Sequence, residues 1–291
     1  VKDMKYYGNV FRPPSEARSL IIQATIGCAH NDCTFCYMYK DEPFIVRKFE
    51  DIVADLEEIR EYFPRFERIF IADGDALVLK TEDLLKLLQY IKDNFPNVKR
   101  VSAYATAGDI NRKSIEELKQ LYDMGLEMLY IGFESGDDEI LKEIKKGLTV
   151  DDYTKAMDKC KDVGFKTSIT IIVGLGGREK WEQNAINTAK LITATKPDYV
   201  SYLTMRLYQN TPLYRDYKEG KFEMPNAEEL LVEMRLFLEN VDSEGTIFRS
   251  NHASNYVSLG GTLNKDREML IRQIDETLKN KNFRPEVLRG F

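Results

Sequence analysis

The sequence predicts an α/β fold built on a parallel sheet, and three observations carry that expectation. Strand-like and helix-like segments alternate regularly from residue 20 to residue 207. Polar and glycine residues recur just after the strands, where ligands gather in parallel α/β folds. Three of the four cysteines, Cys28, Cys33 and Cys36, fall within nine residues directly after the first strand.

The first strand is expected over 20–26, an apolar run ahead of the cysteines. A helix over 50–62 follows from the spacing of Ile52, Val53, Leu56 and Ile59. The second strand is expected over 68–72, then a helix over 81–95 and a third strand over 101–105. Ser114 and Glu117 form a capping-box pattern that opens the next helix. The fourth strand spans 128–133, with a short helix over 139–144 and a longer one capped by Thr149. The fifth strand spans 166–173, a helix 181–194, and the sixth strand 199–207. Each crossover between parallel strands is expected to be right-handed. Beyond Thr211 and Pro212 the rhythm breaks, leaving a helix near 228–238, a short strand over 246–249 and a helix over 266–278. An open doubly wound sheet and a partial barrel both fit the pattern.

Of the 291 residues, 43% are hydrophobic and 31% charged, an ordinary balance for a globular enzyme. The formal net charge of −6 argues against a nucleic-acid partner, because phosphate binding leaves a basic footprint. No apolar run reaches the roughly 20 residues that span a bilayer, and residues 1–18 lack a signal-peptide core. A cytoplasmic protein is expected. There thiols stay reduced, so close cysteines read as metal ligands or redox groups rather than disulfides. His30 and His252 are the only histidines, a meagre supply for acid–base catalysis near neutral pH.

Three cysteines without a close fourth suggest a metal centre with one open position. Structural zinc takes four ligands, usually as two pairs, and only Cys33 and Cys36 form a pair. A redox Cys-x-x-Cys leaves Cys28 unexplained. Buried structural cysteines fit poorly with the polar run Ala29-His30-Asn31-Asp32 between them. An iron–sulfur cluster held by three thiolates, with its fourth iron open, accounts for all three. A zinc-binding structural or interaction protein, and a non-catalytic cluster-binding carrier, are the alternatives. Cys160 lies on the apolar face of its helix with Tyr153, Ala156 and Met157 and reads as core.

The run TIGCAHNDCTFCYMYK resembles the signature of the radical S-adenosylmethionine superfamily, Cys-x3-Cys-x-aromatic-Cys. Phe35 stands at the aromatic position, and four residues rather than three separate Cys28 from Cys33. After the second strand, FIADGDAL is similar to a Gly-Gly-Glu-like turn of that family. The segment from Tyr130 to Lys166 resembles the branch of oxygen-independent coproporphyrinogen oxidases and radical tRNA-modifying enzymes. IIVGLGGRE resembles that branch's Gly-Leu-Pro-Gly turn, and RLYQNTPLY its Gly-Thr-Pro-Leu-Tyr element.

The resemblance implies a partial (β/α)6 TIM-like barrel over 1–210, with its cluster loop at 27–37, and a C-terminal α/β extension over 211–291 packed on it. It implies an enzyme that reductively cleaves S-adenosylmethionine at a [4Fe-4S] cluster. The resulting 5′-deoxyadenosyl radical would abstract hydrogen from a small-molecule or peptide substrate. Cys28, Cys33 and Cys36 would ligate the cluster. Phe35, Gly174 and Gly176 would flank the adenine, Gly74 and Asp75 would hold the methionine ammonium, and Glu134 would bind a polar group of the cofactor. An external electron donor of flavodoxin or ferredoxin type is implied as partner. Arg206, near the end of the sixth strand, and Asn251 and His252, in a polar run of the extension, are candidate substrate contacts; for the last two a hydrogen-bonded turn is the competing reading.

Overall fold

The computed structural model describes residues 6–60 and 66–289. The chain forms two compact units. The first comprises residues 6–31, 38–131 and 158–167 of the described chain, the second residues 32–37, 132–157 and 168–289.

In the first unit, β1 (Leu20–Gln23) is followed by a hairpin of β2 (Thr25–Ile26) and β3 (Ile45–Val46), then α1 (Phe49–Arg60), β4 (Arg68–Ala72), α2 (Thr81–Asn94), β5 (Arg100–Ala105), α3 (Ala107–Arg112) and α4 (Ile115–Asp123). Strand β6 (Leu126–Glu134) begins in this unit and runs into the second. The order is β1-β4-β5-β6, with β1 parallel to β4, β4 to β5 and β5 to β6. Every residue of β1 is buried, and so are four of five in β4, as befits strands covered on both faces. Ile21, Phe70, Ala72, Met128 and Tyr130 form one core cluster, with the Phe70 ring edge-on to Tyr104 and Tyr130.

The second unit contains α5 (Asp138–Glu143), the start of α6 (Val150–Val163) and all but the first two residues of β7 (Lys166–Val173), then α7 (Trp181–Thr195), β8 (Tyr199–Thr204), α8 (Pro212–Lys218), α9 (Ala227–Asn240), β9 (Ile247–Arg249), β10 (Gly260–Thr262) and α10 (Arg267–Asn280). Its strand order is β7-β8-β9-β10, parallel except for the last pair. Helix α9 packs on α7 and α10. Phe237 of α9 reaches Tyr202 of β8 at 4.9 Å between ring centres.

The parallel α/β class and the six principal strands appear as the sequence predicts, with differences at strand ends and an added helix, α3. The expected first strand over 20–26 breaks at Ala24, whose carbonyl accepts a bond from the Arg47 N–H. Arg47 also clamps the Gln23 carbonyl at 2.9 Å and Asp55 at 2.6 Å, so 25–26 turn away to pair with β3. The sixth strand ends at Thr204 rather than residue 207. The expected extension contributes β9, which pairs in register with β8. Residues 61 and 62 of the helix expected over 50–62 lie outside the described residues. The capping box at Ser114 and Glu117 is formed.

Candidate active site

In the first unit, the chain leaves β2 through Gly27 at φ +75° into Cys28. The Gly27 carbonyl accepts a bond from the Gly74 N–H at 3.1 Å. A Cβ on Gly74 would lie 2.7 Å from the Cys28 Cα and 2.8 Å from its Cβ, so only glycine lets the turn after β4 approach so closely. Asp73 before it is left-handed at φ +67° and almost wholly buried. Its Oδ2 accepts bonds from the Gln23 Nε2 (2.9 Å) and the Gly27 N–H (3.3 Å). Its Oδ1 is buried with no hydrogen-bond partner among the described residues. Burial raises its pKa to about 6, against the lowering effect of those two donors. Asp75 is buried and occupied by its own turn, accepting bonds from the Leu77 N–H at 3.0 Å and the Thr106 hydroxyl at 2.9 Å.

In the second unit, residues 32–37 are pinned at Thr34. Its N–H donates to the carbonyl of Ile144, just past α5, and its carbonyl accepts from the N–H of Leu213 in α8. Cys33, Phe35 and Cys36 are half-buried around it, and the Cys36 N–H donates to the Cys33 carbonyl at 3.4 Å. Among the described residues no three Cys, His, Asp or Glu side chains form one metal-holding group. Cys28 is described with the first unit, Cys33 and Cys36 with the second. Cys160 is fully buried, and burial alone pushes its thiol up to about 12. It is core, as the helix pattern suggested.

Glu134 ends β6 at φ +66°, a left-handed conformation that costs a side-chain-bearing residue about 1–2 kcal/mol. Such strain concentrates at functional sites. Its carboxylate pairs with Lys146 at 3.1 Å, both side chains 13% exposed. Gly132 leaves the space that carboxylate fills. Burial works against charge on Lys146, but Glu134, Tyr153 and Cys33 more than offset it, holding the ammonium above its ordinary range. The Tyr153 hydroxyl donates to the Phe133 carbonyl at 2.8 Å, and the two rings stack.

The turn after β7 is closed by the Gly177 N–H donating to the Gly174 carbonyl at 3.0 Å. Gly174, at φ +96°, would drive a Cβ to within 2.7 Å of Leu230 on α9, and one on Gly176 would meet the Lys180 carbonyl at 2.7 Å. The Gly174 N–H donates to both carboxyl oxygens of Glu233 at 3.2 Å. Glu233 is fully buried in α9 and also accepts from the Asn184 Nδ2 at 2.7 Å, while Asn184 Oδ1 accepts from the Ser135 hydroxyl at 2.6 Å. Burial raises the Glu233 pKa to about 8, opposed by these donors.

Past β8, Arg206 is half-buried with its guanidinium 5.9 Å from the centre of the Tyr208 ring. That ring stacks on Tyr37 at 3.7 Å. Asn251 is exposed. The His252 Nδ1 accepts the Ser254 N–H at 3.1 Å, so it caps its own turn; burial, then the Arg284 charge, lowers its pKa.

A model of the radical SAM superfamily matches residues 22–189, more than half of the chain. The chain belongs to the radical SAM superfamily. It is 28% identical over 129 residues to a tRNA uridine(34) acetyltransferase of Methanocaldococcus infernus, covering 44% of this chain and 24% of that protein. With the heme chaperone HemW of Bacillus subtilis it shares 24% identity over 199 residues, 68% of this chain and 51% of HemW. The chain thus spans between a quarter and a half of the length of these curated relatives. Methylornithine synthase (PylB) shares the fold across most of both chains, with a TM-score of 0.55 at 16% identity over 92% of this chain and 82% of that one. The fold is the partial barrel of radical SAM enzymes, a superfamily that works with a [4Fe-4S] cluster and S-adenosylmethionine. The zinc and carrier alternatives gain no support.

The residues present suit those cofactors. The three clustered thiols are partly exposed where Cys160 is sealed off. The glycine at 74 leaves the space against Cys28 empty of side chain. Asp73 offers a buried carboxyl oxygen still lacking a donor. Sequence reasoning marked the Asp73-Gly74-Asp75 turn but gave Asp73 no role, and it passed over Lys146 and Glu233. Only Asp73 had a legible signal, as the residue next to Gly74.

Proposed function

We propose that this radical SAM enzyme acts by hydrogen abstraction on a small-molecule or peptide substrate, with Cys28, Cys33 and Cys36 as the cluster's three protein ligands. When bound, the cluster and S-adenosylmethionine together supply a 5′-deoxyadenosyl radical, and the chain supplies binding, orientation and exclusion of water. Gly74 admits the turn after β4 to the backbone of Cys28, and the buried oxygen of Asp73 is suited to a cationic donor such as the methionine ammonium. Asp75, already accepting two bonds, shapes that turn. The Glu134–Lys146 pair presents one anionic and one cationic group beside the Cys33–Cys36 segment for the cofactor's polar groups. Phe35, with the Gly174 and Gly176 turn, is suited to the adenine. Glu233 holds that turn through the Gly174 N–H. Electrons would come from a flavodoxin- or ferredoxin-type donor.

The observation that carries this reading is the nine-residue spacing of Cys28, Cys33 and Cys36 within a chain of this superfamily. The test is incubation of anaerobically reconstituted, reduced protein with S-adenosylmethionine. Formation of 5′-deoxyadenosine supports the reading. Its absence with chemical and protein reductants alike, from protein carrying a full cluster, defeats it.

A further inference from the structure

Arg206 is the feature of the second unit that the cofactor roles leave unused. It is half-buried at the carboxyl end of β8, and among the described residues it makes no hydrogen bond and no ion pair. A guanidinium carries five N–H donors in a planar fork that suits an oxyanion. Its guanidinium lies 5.9 Å from the centre of the Tyr208 ring, which stacks on Tyr37, the residue directly after Cys36. The arginine is thereby tied through two stacked rings to the cysteine loop.

The surrounding charge is unbalanced. Arg206 acts electrostatically on Tyr256 and on Glu286, and Arg289 acts on the same two groups. Glu286 is already committed, to the Tyr256 hydroxyl and to the Arg289 Nη1 at 2.6 Å. Arg289 lies 3.6 Å over the Tyr256 ring, its side chain 3% exposed, and its Nη2 is buried without a hydrogen-bond partner among the described residues. Arg284 adds a third cation, bound to the carbonyls of His252 and Ala253. Arg206 and Arg289 thus act on one carboxylate, with Arg284 held on backbone carbonyls of the neighbouring turn. A buried or half-buried cation without a counter-charge is costly, and an anionic ligand would repay that cost.

We infer that Arg206 receives an oxyanion of the substrate, a carboxylate or a phosphate, against the wall formed by Tyr208 and Tyr37. This deepens the proposed function by naming the substrate's class, and it rests on that reading in taking the anion to be the substrate's. Arg289 and Arg284 keep the recess positive, while Arg206 supplies the contact.

The test is isothermal titration of the anaerobically reconstituted holoprotein with benzoate, phenyl phosphate and the neutral isostere benzamide. Benzoate or phenyl phosphate should bind at least about tenfold tighter than benzamide, the scale of one charge-assisted contact. Whichever anion binds more tightly identifies the oxyanion. Arg206→Gln should bring that ratio close to one, and Arg206→Lys should leave an intermediate ratio. Because the ratio is internal to each variant, a partly unfolded sample lowers both affinities without mimicking the result. Equal binding of all three compounds, no binding of either anion, or an anion preference that survives Arg206→Gln overturns the inference. Displacement of the anion by S-adenosylmethionine would assign the recess to the cofactor and overturn it too. A wild type that yields no 5′-deoxyadenosine defeats the proposed function while leaving this ratio readable.

Discussion

Gly74→Ala is the smallest change that probes how the turn after β4 meets the cysteine loop. The added methyl would sit 2.7 Å from the Cys28 Cα and 2.8 Å from its Cβ, with the Gly27 carbonyl oxygen at 3.0 Å. All three are main-chain or first side-chain atoms, so no flexible end can swing aside. Reaching ordinary van der Waals contact requires about 0.7 Å of backbone movement at Cys28 itself. That movement also stretches the 3.1 Å bond from the Gly74 N–H to Gly27. Overpacking of this kind costs about 1–3 kcal/mol, which for a domain of this size lowers Tm by roughly 2–4 °C per kcal/mol. Iron per chain after anaerobic reconstitution should fall well below wild type, because the movement falls on a proposed ligand. The assay pairs iron quantification with thermal unfolding, and Cys160→Ala serves as a control that loses core packing but keeps its iron. A Gly74→Ala protein with wild-type iron and unchanged Tm would refute the reasoning.

Further expectations concern the second unit. Lys146→Met leaves Glu134 largely buried without its counter-charge and should cost about 3–5 kcal/mol in denaturant unfolding; Glu134→Gln with Lys146→Met together should recover part of that loss. Glu233 has a folded pKa of about 8, above the ordinary carboxylate value, so the folded state holds its proton more tightly than the unfolded chain. That contribution is full below the unfolded pKa and is lost as pH rises through about 8. Tm of the wild type should therefore fall more between pH 6 and pH 9 than that of Glu233→Gln (an interval bracketing that pKa), as differential scanning fluorimetry would show; parallel curves would count against a buried, titrating Glu233. Tyr208→Leu removes the ring between Tyr37 and Arg206 and should weaken benzoate binding to the holoprotein, whereas unchanged affinity would detach the stack from the anion site.

Much of this was legible in the sequence because it rests on periodicity and on residue types with few uses. The apolar runs of β4 and β7 were placed to within a residue, and Ser114 and Glu117 opened α4 as the capping box required. The cysteine loop stood out because three thiols at that spacing have few purposes; its role as cluster ligand is this account's proposal. What was hidden depended on contacts far apart in sequence. The turn from β1 into β2 is set by Arg47, more than twenty residues later. Lys146 is one of two adjacent lysines, and nothing local says which one folds back to Glu134; Lys145 takes a left-handed conformation instead. Glu233 stands among the acidic residues of α9, where Glu228 and Glu229 are ordinary helix-start carboxylates. Only the packing of α9 on α7 turns it inward to Asn184 and Gly174.

The central claim is that Cys28, Cys33 and Cys36, and not Cys160, hold the cluster. Iron and acid-labile sulfide per chain, measured on anaerobically reconstituted wild type and the four single Cys→Ala variants, test it most directly. The account predicts about four of each for wild type and Cys160→Ala, with loss of the cluster in the other three. Full iron and sulfide in any of Cys28→Ala, Cys33→Ala or Cys36→Ala, or loss in Cys160→Ala from a protein that remains folded, would contradict it.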